Sequence, residues 1–259
     1  MSWTRERVAE VIRPPRASDD KYSRGVLGVV TGSRAYPGAA VLGVEAALRT
    51  GVGMVRYLGE VPDQVLTRRP EVVTQAGHVS AWLLGSGMTD VSFMAPEYAA
   101  MFASSAPAVC DAGALDAGVL SALGRGRRLI LTPHAGEAAR LLGRERADVT
   151  SDPVAAARAI AEQWNATVVL KGNISTLVSA DGSIAEFGPA SPWLATAGTG
   201  DVLAGVIGAL LSARPDADPG EVAAAGIWLH SRAAERLRGP FVTLDLATEI
   251  AATVGEVLT

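Results

Sequence analysis

Seven consecutive residues, Ala195-Thr196-Ala197-Gly198-Thr199-Gly200-Asp201, run straight into the apolar stretch Val202 to Leu211. Glycines at such a helix start let the backbone aim its amides at a ligand, and the unpaired N–H groups of the first turn add the positive end of the helix dipole. A phosphate fits there. The stretch is not a Walker A loop, because no Gly-Lys-Ser/Thr follows, and it lies too near the end of the chain for a dinucleotide fingerprint. Asp201 carries two readings. It could be a helix-start residue stabilised by the dipole and nothing more. Alternatively, a carboxylate ionised at neutral pH beside a phosphate cradle is costly unless it has a task. The task open to it is to accept the proton of a hydroxyl as that hydroxyl attacks a phosphoryl group. The amides of Gly198 to Gly200 would meanwhile stabilise the charge on the transferring oxygens.

Lys171 ends the apolar run Thr167 to Leu170 and precedes Gly172; with Lys21 it is one of only two lysines among 23 basic residues. Its ammonium and the nearby amides would face the same crevice, although a solvated lysine at a strand end is the plainer alternative. Ser175 and Thr176 could add hydroxyl donors, or serve only as a strand face. His134 follows Pro133, with Glu137 three residues on. That spacing suits either a ligand contact or a helix cap, and Glu137 also suits the dipole. Gly38, Ala39 and Ala40 at another helix start would let a flat ligand approach the backbone, or simply let a helix pack closely. His78, His134 and His230 show no metal-ligand spacing, so no zinc site is expected. The single Cys110 can form no internal disulfide and reads as a core residue.

These residues need a scaffold, and the hydrophobic periods supply one. Short apolar runs, Val26 to Thr31, Met54 to Leu58, Trp82 to Leu84, Ala108 to Cys110, Leu129 to Leu131 and Val168 to Leu170, alternate with helical stretches such as Ala39 to Thr50, Ala135 to Leu142 and Pro153 to Trp164. A mostly parallel sheet covered by helices follows. Ser175 to Ser179 and Ser183 to Phe187 flank Ala180-Asp181-Gly182, which predicts a small antiparallel edge. Asp201 to Ser212, Glu221 to Arg238 and Thr243 to Leu258 close the chain as helices. No linker divides it, so residues 1–259 are expected to form one domain. In open α/β sheets ligands bind beyond the carboxyl ends of the strands. The polar residues there are Thr31-Gly32-Ser33, Gly85-Ser86-Gly87, Asp111, Thr132-Pro133-His134 and Lys171-Gly172-Asn173.

Composition narrows the partners. Of 259 residues 49% are hydrophobic and 19% charged, enough for one large core. A net charge of −4 lacks the basic excess that would draw nucleic acid or anionic membrane. The apolar run Val202 to Ala213 is shorter than the roughly 20 residues a membrane span needs. The charged start, Arg5, Glu6 and Arg7, has no apolar secretory core, so a cytoplasmic location is the expectation.

In their order, these pieces resemble the ADP-dependent NAD(P)H-hydrate dehydratase family of the ribokinase-like superfamily. The resemblance rests on Lys21-Tyr22-Ser23-Arg24-Gly25, Val30-Thr31-Gly32-Ser33, Gly38-Ala39-Ala40, Glu45 to Gly51, Asp111 to Leu115, Thr132 to Glu137, Lys171-Gly172 and Leu194 to Gly205. It implies a ribokinase-like fold with helices on both faces of the sheet. It also implies a repair reaction, in which the S-form of hydrated NADH or NADPH is returned to the intact cofactor while ADP, carrying magnesium, becomes AMP and phosphate. By the same resemblance Asp201 is catalytic, Ala39, Gly87, His134 and Asp201 line the hydrate site, and Lys171, Gly172, Asn173, Ile174, Ser175 and Gly200 hold ADP. A homo-tetramer is implied, as is a separate epimerase, because the chain begins almost at the dehydratase part.

The sequence departs from the family pattern at Pro133-His134-Ala135-Gly136-Glu137, at Gly85-Ser86-Gly87-Met88-Thr89, and at Pro189-Ala190-Ser191-Pro192-Trp193, a loop expected to differ over the substrate. The competing enzyme reading is a ribokinase-like kinase for a hydroxymethyl-pyrimidine or thiazole alcohol. A non-catalytic nucleotide-binding regulator is the other alternative, though it would have no need of Asp201.

Overall fold

A computed structural model of the chain describes residues 3–88, 101, 103–124 and 126–259; Thr89 of the Gly85 to Thr89 stretch lies outside the described residues. Eight strands form one sheet: β1 (Val26–Val30), β2 (Met54–Tyr57), β3 (Ala81–Leu84), β4 (Ala108–Cys110), β5 (Leu129–Leu131), β6 (Thr167–Leu170), β7 (Ser175–Val178) and β8 (Ile184–Phe187). Their order is β2-β1-β3-β4-β5-β6-β7-β8. The pairs from β2 to β6 are parallel, and β7 and β8 add an antiparallel edge. This is the expected α/β architecture.

The parallel strands alternate between two apolar faces because the sheet is covered on both sides, whereas the edge strand β8 is largely exposed. Leu27, Val29, Leu83, Val109, Ile130 and Val169 point into one core. Their neighbours Val26, Val30, Trp82, Leu84, Ala108, Cys110, Leu129, Leu131, Val168 and Leu170 point into the other. The first core is covered by α1 (Arg5–Val11), α2 (Pro37–Thr50), α8 (Thr199–Ala213), α9 (Pro219–Leu237) and α10 (Thr243–Leu258). The second is covered by α4 (Ala117–Leu123), α5 (Ala135–Leu142), α6 (Arg146–Ser151) and α7 (Pro153–Trp164). Between β2 and β3 lies α3 (Pro62–Arg68). The buried Glu45 of α2 pairs with Arg49 at 3.1 Å and with Arg69 just beyond α3, which ties those two helices together. Burial pushes the Cys110 thiol up to about 12, so it stays protonated in the core.

Expected and observed bounds agree closely for β4, β5, α5, α7 and α10, where apolar period and flanking breakers coincide. The short helices α1, α3, α4 and α6 were not anticipated, since six or seven residues are too few to show a helical period. Among the described residues no helix is long and apolar enough to cross a membrane.

One contact sets how closely α8 lies against α2. A Cβ on Gly205 would meet the Gly43 carbonyl oxygen at 2.3 Å and Ala46 Cβ at 3.0 Å, so α8 and α2 touch backbone to backbone. Gly205→Ala should therefore lower the unfolding free energy by about 1–3 kcal/mol through overpacking, despite alanine's better helix propensity. Gly255→Ala, in α10 with nothing within 4 Å of the added carbon, should instead raise it by up to about 1 kcal/mol. Urea unfolding of both variants checks this pair; equal shifts would contradict it.

Candidate active site at the carboxyl ends of the strands

Asp111 follows β4 and is buried, 2% exposed, and its carboxylate gathers three donors from neighbouring strand ends. Lys171 Nζ lies 2.6 Å from Oδ1, Thr132 Oγ1 donates to the same oxygen at 2.7 Å, and Ser86 Oγ donates to Oδ2 at 2.9 Å. Lys171 is held in place by its own backbone too, because its N–H donates to the Pro133 carbonyl at 2.8 Å. A second carboxylate, Glu137, stands 3.9 Å from the ammonium. Burial alone would lower the Lys171 pKa, but Asp111, Glu137 and Asp201 outweigh it and hold the lysine above its ordinary value. Lys171 is charged at every physiological pH.

Asp201 occupies the first turn of α8. Gly198 precedes that helix at φ +92°, a left-handed conformation that favours glycine, and a Cβ there would also strike Leu42 Cδ1 at 2.6 Å. No side chain caps the helix start. The Thr199 hydroxyl turns away and donates to the Leu194 and Thr196 carbonyls, at 2.9 and 3.0 Å. The N–H groups of Gly200 and Asp201 consequently have no hydrogen-bond partner among the described residues. Gly200 also leaves room for the lysine, since a Cβ there would lie 3.4 Å from Lys171 Nζ. An ammonium and two open amides thus meet at one point, which is what an anion requires.

The sequence reading had Asp201 ionised at neutral pH, and the structure corrects this. Burial first, then the negative charge of Asp111, push its pKa up to about 7; Lys171 and the Ser86 hydroxyl pull the other way without prevailing. At neutral pH the carboxyl is therefore divided between its two forms, the state suited to taking and returning a proton.

The remaining candidates fall around this centre. Ala39 and Gly87 adjoin each other, because Gly87, at φ +68°, would bring a Cβ within 2.4 Å of the Ala39 methyl. One turn further along α2, Gly43 faces the Asp201 carbonyl. His134 caps α5: its Nδ1 accepts from the N–H of Gly136 at 3.0 Å and of Glu137 at 3.2 Å, while Glu137 Oε2 accepts from the His134 N–H at 2.8 Å. Its ring remains 60% exposed, with Nε2 3.4 Å from Glu137 Oε1.

Two cavities flank Lys171. One, of about 340 Å³, is lined by Lys171, Gly172, Asn173, Ser175, Thr199 and Gly200 on the polar side and by Pro192, Leu194, Leu203 and Ile227 on the apolar side. The divergent loop at 189–193 thus overhangs this cavity. The other, of about 440 Å³, is lined by His134, Arg146, Leu170 and Ile174 among others. Ile174 opens there and not into the first cavity with its neighbours. Sequence reasoning assigned no role to Asp111, Ser86 or Thr132 in holding the lysine. Their positions at successive strand ends were visible, but which of those ends would touch was not.

A family model described as NAD(P)H-hydrate dehydratase matches residues 27–255. The bifunctional NAD(P)H-hydrate repair enzyme Nnr of Mycobacterium leprae is 42% identical over 231 residues, covering 85% of this chain and 47% of that protein. The chain thus spans about half the length of such bifunctional relatives. The ADP-dependent (S)-NAD(P)H-hydrate dehydratase of Neisseria meningitidis is 36% identical over 258 residues, covering 92% of this chain and 86% of that one. Among solved structures, the ADP/ATP-dependent NAD(P)H-hydrate dehydratase of Bacillus subtilis, co-crystallised with ATP and Mg2+, superposes with a TM-score of 0.86 at 24% identity over 98% of both chains, a likeness of fold. With 229 of its residues spanned by that family model and with these relatives, the chain belongs to the NAD(P)H-hydrate dehydratase family.

Proposed function

We propose that this chain is an ADP-dependent dehydratase that returns the S-form of hydrated NADH or NADPH to the intact cofactor. The observation that carries the reading is Asp201, a carboxyl poised near pH 7 at a helix start whose open amides and neighbouring lysine suit a phosphate. Hydroxide is a poor leaving group. Asp201 takes the proton of the ring hydroxyl as its oxygen bonds to the terminal phosphorus of ADP, and the bond from that phosphorus to AMP breaks. The amides of Gly200 and Asp201 stabilise the charge that gathers on the transferring oxygens. The ring nitrogen's lone pair then expels phosphate, and a proton leaves the neighbouring carbon to restore the double bond.

Lys171, Gly172, Asn173, Ser175 and Gly200 hold ADP in the 340 Å³ cavity, whose apolar wall of Leu203 and Ile227 suits the base. Ile174, which faces the other cavity, would support this segment through its backbone alone. Ala39, Gly87 and His134 border the hydrate. Among the described residues no group of three His, Cys, Asp or Glu side chains is placed to hold a metal. Magnesium would enter on the nucleotide and neutralise its phosphates, with Glu137 placed to hold one of its waters. The bifunctional relatives suggest that an epimerase acts alongside and supplies the S-form.

Asp201→Asn keeps the size of the side chain and removes the proton acceptor, so turnover should fall by about a hundredfold or more while ADP affinity holds. A stable variant retaining more than about half the rate would return Asp201 to a structural role. In the wild type, turnover should rise with pH through about 7 as Asp201 loses its proton. Lys171 lowers the Asp201 pKa, so Lys171→Met should displace that rise to higher pH. A rise at unchanged pH would contradict the coupling.

The same carboxyl predicts a stability profile for the ligand-free protein. Its folded pKa, about 7, lies above the ordinary 3.8, so the fold favours the protonated form. The stability this confers is complete below about pH 4 and lost as pH rises through 7. Melting temperatures should show Asp201→Asn gaining on the wild type between pH 5 and pH 8, by the sign of that linkage. A constant gap would contradict the raised pKa.

A further inference from the structure

His230 of α9 plays no part in the chemistry above, yet it is 7% exposed and lines the 340 Å³ cavity. Its Nε2 lies 2.9 Å from the Thr199 carbonyl oxygen. A carbonyl oxygen only accepts, so Nε2 carries the hydrogen and the ring is in that tautomer. Burial, with the Lys171 charge adding to it, drops the histidine to about 4, so at neutral pH the ring is uncharged and the tautomer persists.

The bonded carbonyl matters because of the peptide it belongs to. The Thr199 C=O and the Gly200 N–H are two ends of one planar trans unit and point in opposite directions. Anchoring the oxygen on the α9 side fixes the direction of the Gly200 N–H on the crevice side. That N–H is one of the two open amides at the helix start. A hydrogen bond accepted at the oxygen also polarises the peptide and strengthens its N–H as a donor. The anchor comes from outside the helix. Gly198 and Gly200 leave this turn without side chains that could stiffen it locally, and the Thr199 hydroxyl is committed to the 194–196 loop.

We infer that His230 is a positioning residue for phosphate recognition, acting through the Thr199–Gly200 peptide to aim and polarise the Gly200 N–H at the anion. The inference rests on the reading of the 340 Å³ cavity as the nucleotide site. It predicts a defect confined to the phosphates, unlike that of a side chain that merely packs or one that touches the base.

The test compares ADP and adenosine binding by calorimetry in the wild type, His230→Leu and His230→Gln, each first checked for folding by its melting temperature. Leucine fills the volume without a donor, whereas glutamine can place an N–H near the position of Nε2. The Leu variant should bind ADP about tenfold more weakly while its adenosine affinity stays within about twofold, the size of effect of one oriented hydrogen bond to an anion. The Gln variant should recover most of the loss. Equal losses for ADP and adenosine would place His230 against the base or sugar and overturn the inference. An unchanged ADP affinity in the Leu variant, or identical Leu and Gln defects, would overturn it as well. If either variant fails to fold, the wild type titrated with inorganic phosphate decides by NMR: a shift of the Gly200 amide accompanied by a shift of the His230 Nε2–H proton supports the coupling through the Thr199–Gly200 peptide, and a Gly200 shift with the His230 proton unmoved, or no Gly200 shift, refutes it. A wild type that binds no ADP refutes the nucleotide reading itself, a result distinct from every outcome that touches His230 alone.

Discussion

The ion pair between Lys171 and Asp111 organises this molecule's functional end. Asp111 closes β4 and Lys171 closes β6, with β5 between them, so the 2.6 Å contact spans the crest of the sheet. The two side chains are 19% and 3% exposed, so neither can be left alone; removing one partner of such a buried pair usually costs about 3–5 kcal/mol. Thr132 and Ser86 complete the Asp111 shell from the ends of β5 and β3. Four consecutive strand ends are thereby tied to one carboxylate, and the lysine that emerges from this shell has a fixed position beside α8.

This arrangement contains a deliberate tension. Three carboxylates, Asp111, Glu137 and Asp201, crowd a place suited to a polyanion, and Lys171 is the cation that faces them, helped by neighbouring hydroxyl and amide donors. Part of the strain is relieved by protonating Asp201, whose pKa is pushed up by burial and then by the charge of Asp111. The consequence is a group that sacrifices some stability of the ligand-free fold to remain available for proton transfer, a trade common at active sites. The close packing of α8 on α2 through Gly205 and Gly43 sets how near the backbone of Asp201 lies to α2.

The sequence was most legible where one physical signal dominated. Two-sided burial wrote continuous apolar runs into β1 to β6, and the Ala180-Asp181-Gly182 turn marked the antiparallel edge, so the sheet could be read from periodicity. The helix start at Gly198 to Asp201 was equally plain, because glycines and an acid before an apolar helix have few other uses. The protonation state of Asp201 was not legible. A helix dipole argues for an ionised acid, and what defeats it, burial together with the charge of Asp111 from 90 residues earlier in the chain, exists only after folding. His134 shows the converse case. Its spacing to Glu137 suited either a ligand contact or a cap, and the structure contains the cap, with the exposed ring's Nε2 beside the Glu137 carboxylate. His230 carried no signal at all, since a histidine within an apolar helix looks the same whether it packs or holds a distant carbonyl.

On the proposed chemistry, this crevice moves a phosphoryl group onto a ring hydroxyl so that the oxygen can leave as phosphate. Product analysis after incubating the protein with hydrated NADH, magnesium and ADP tests that most directly. NADH absorbance should return in step with equal amounts of AMP and inorganic phosphate. Recovery of NADH without AMP, or AMP formed with a stable phosphorylated product and no return of absorbance, would contradict it.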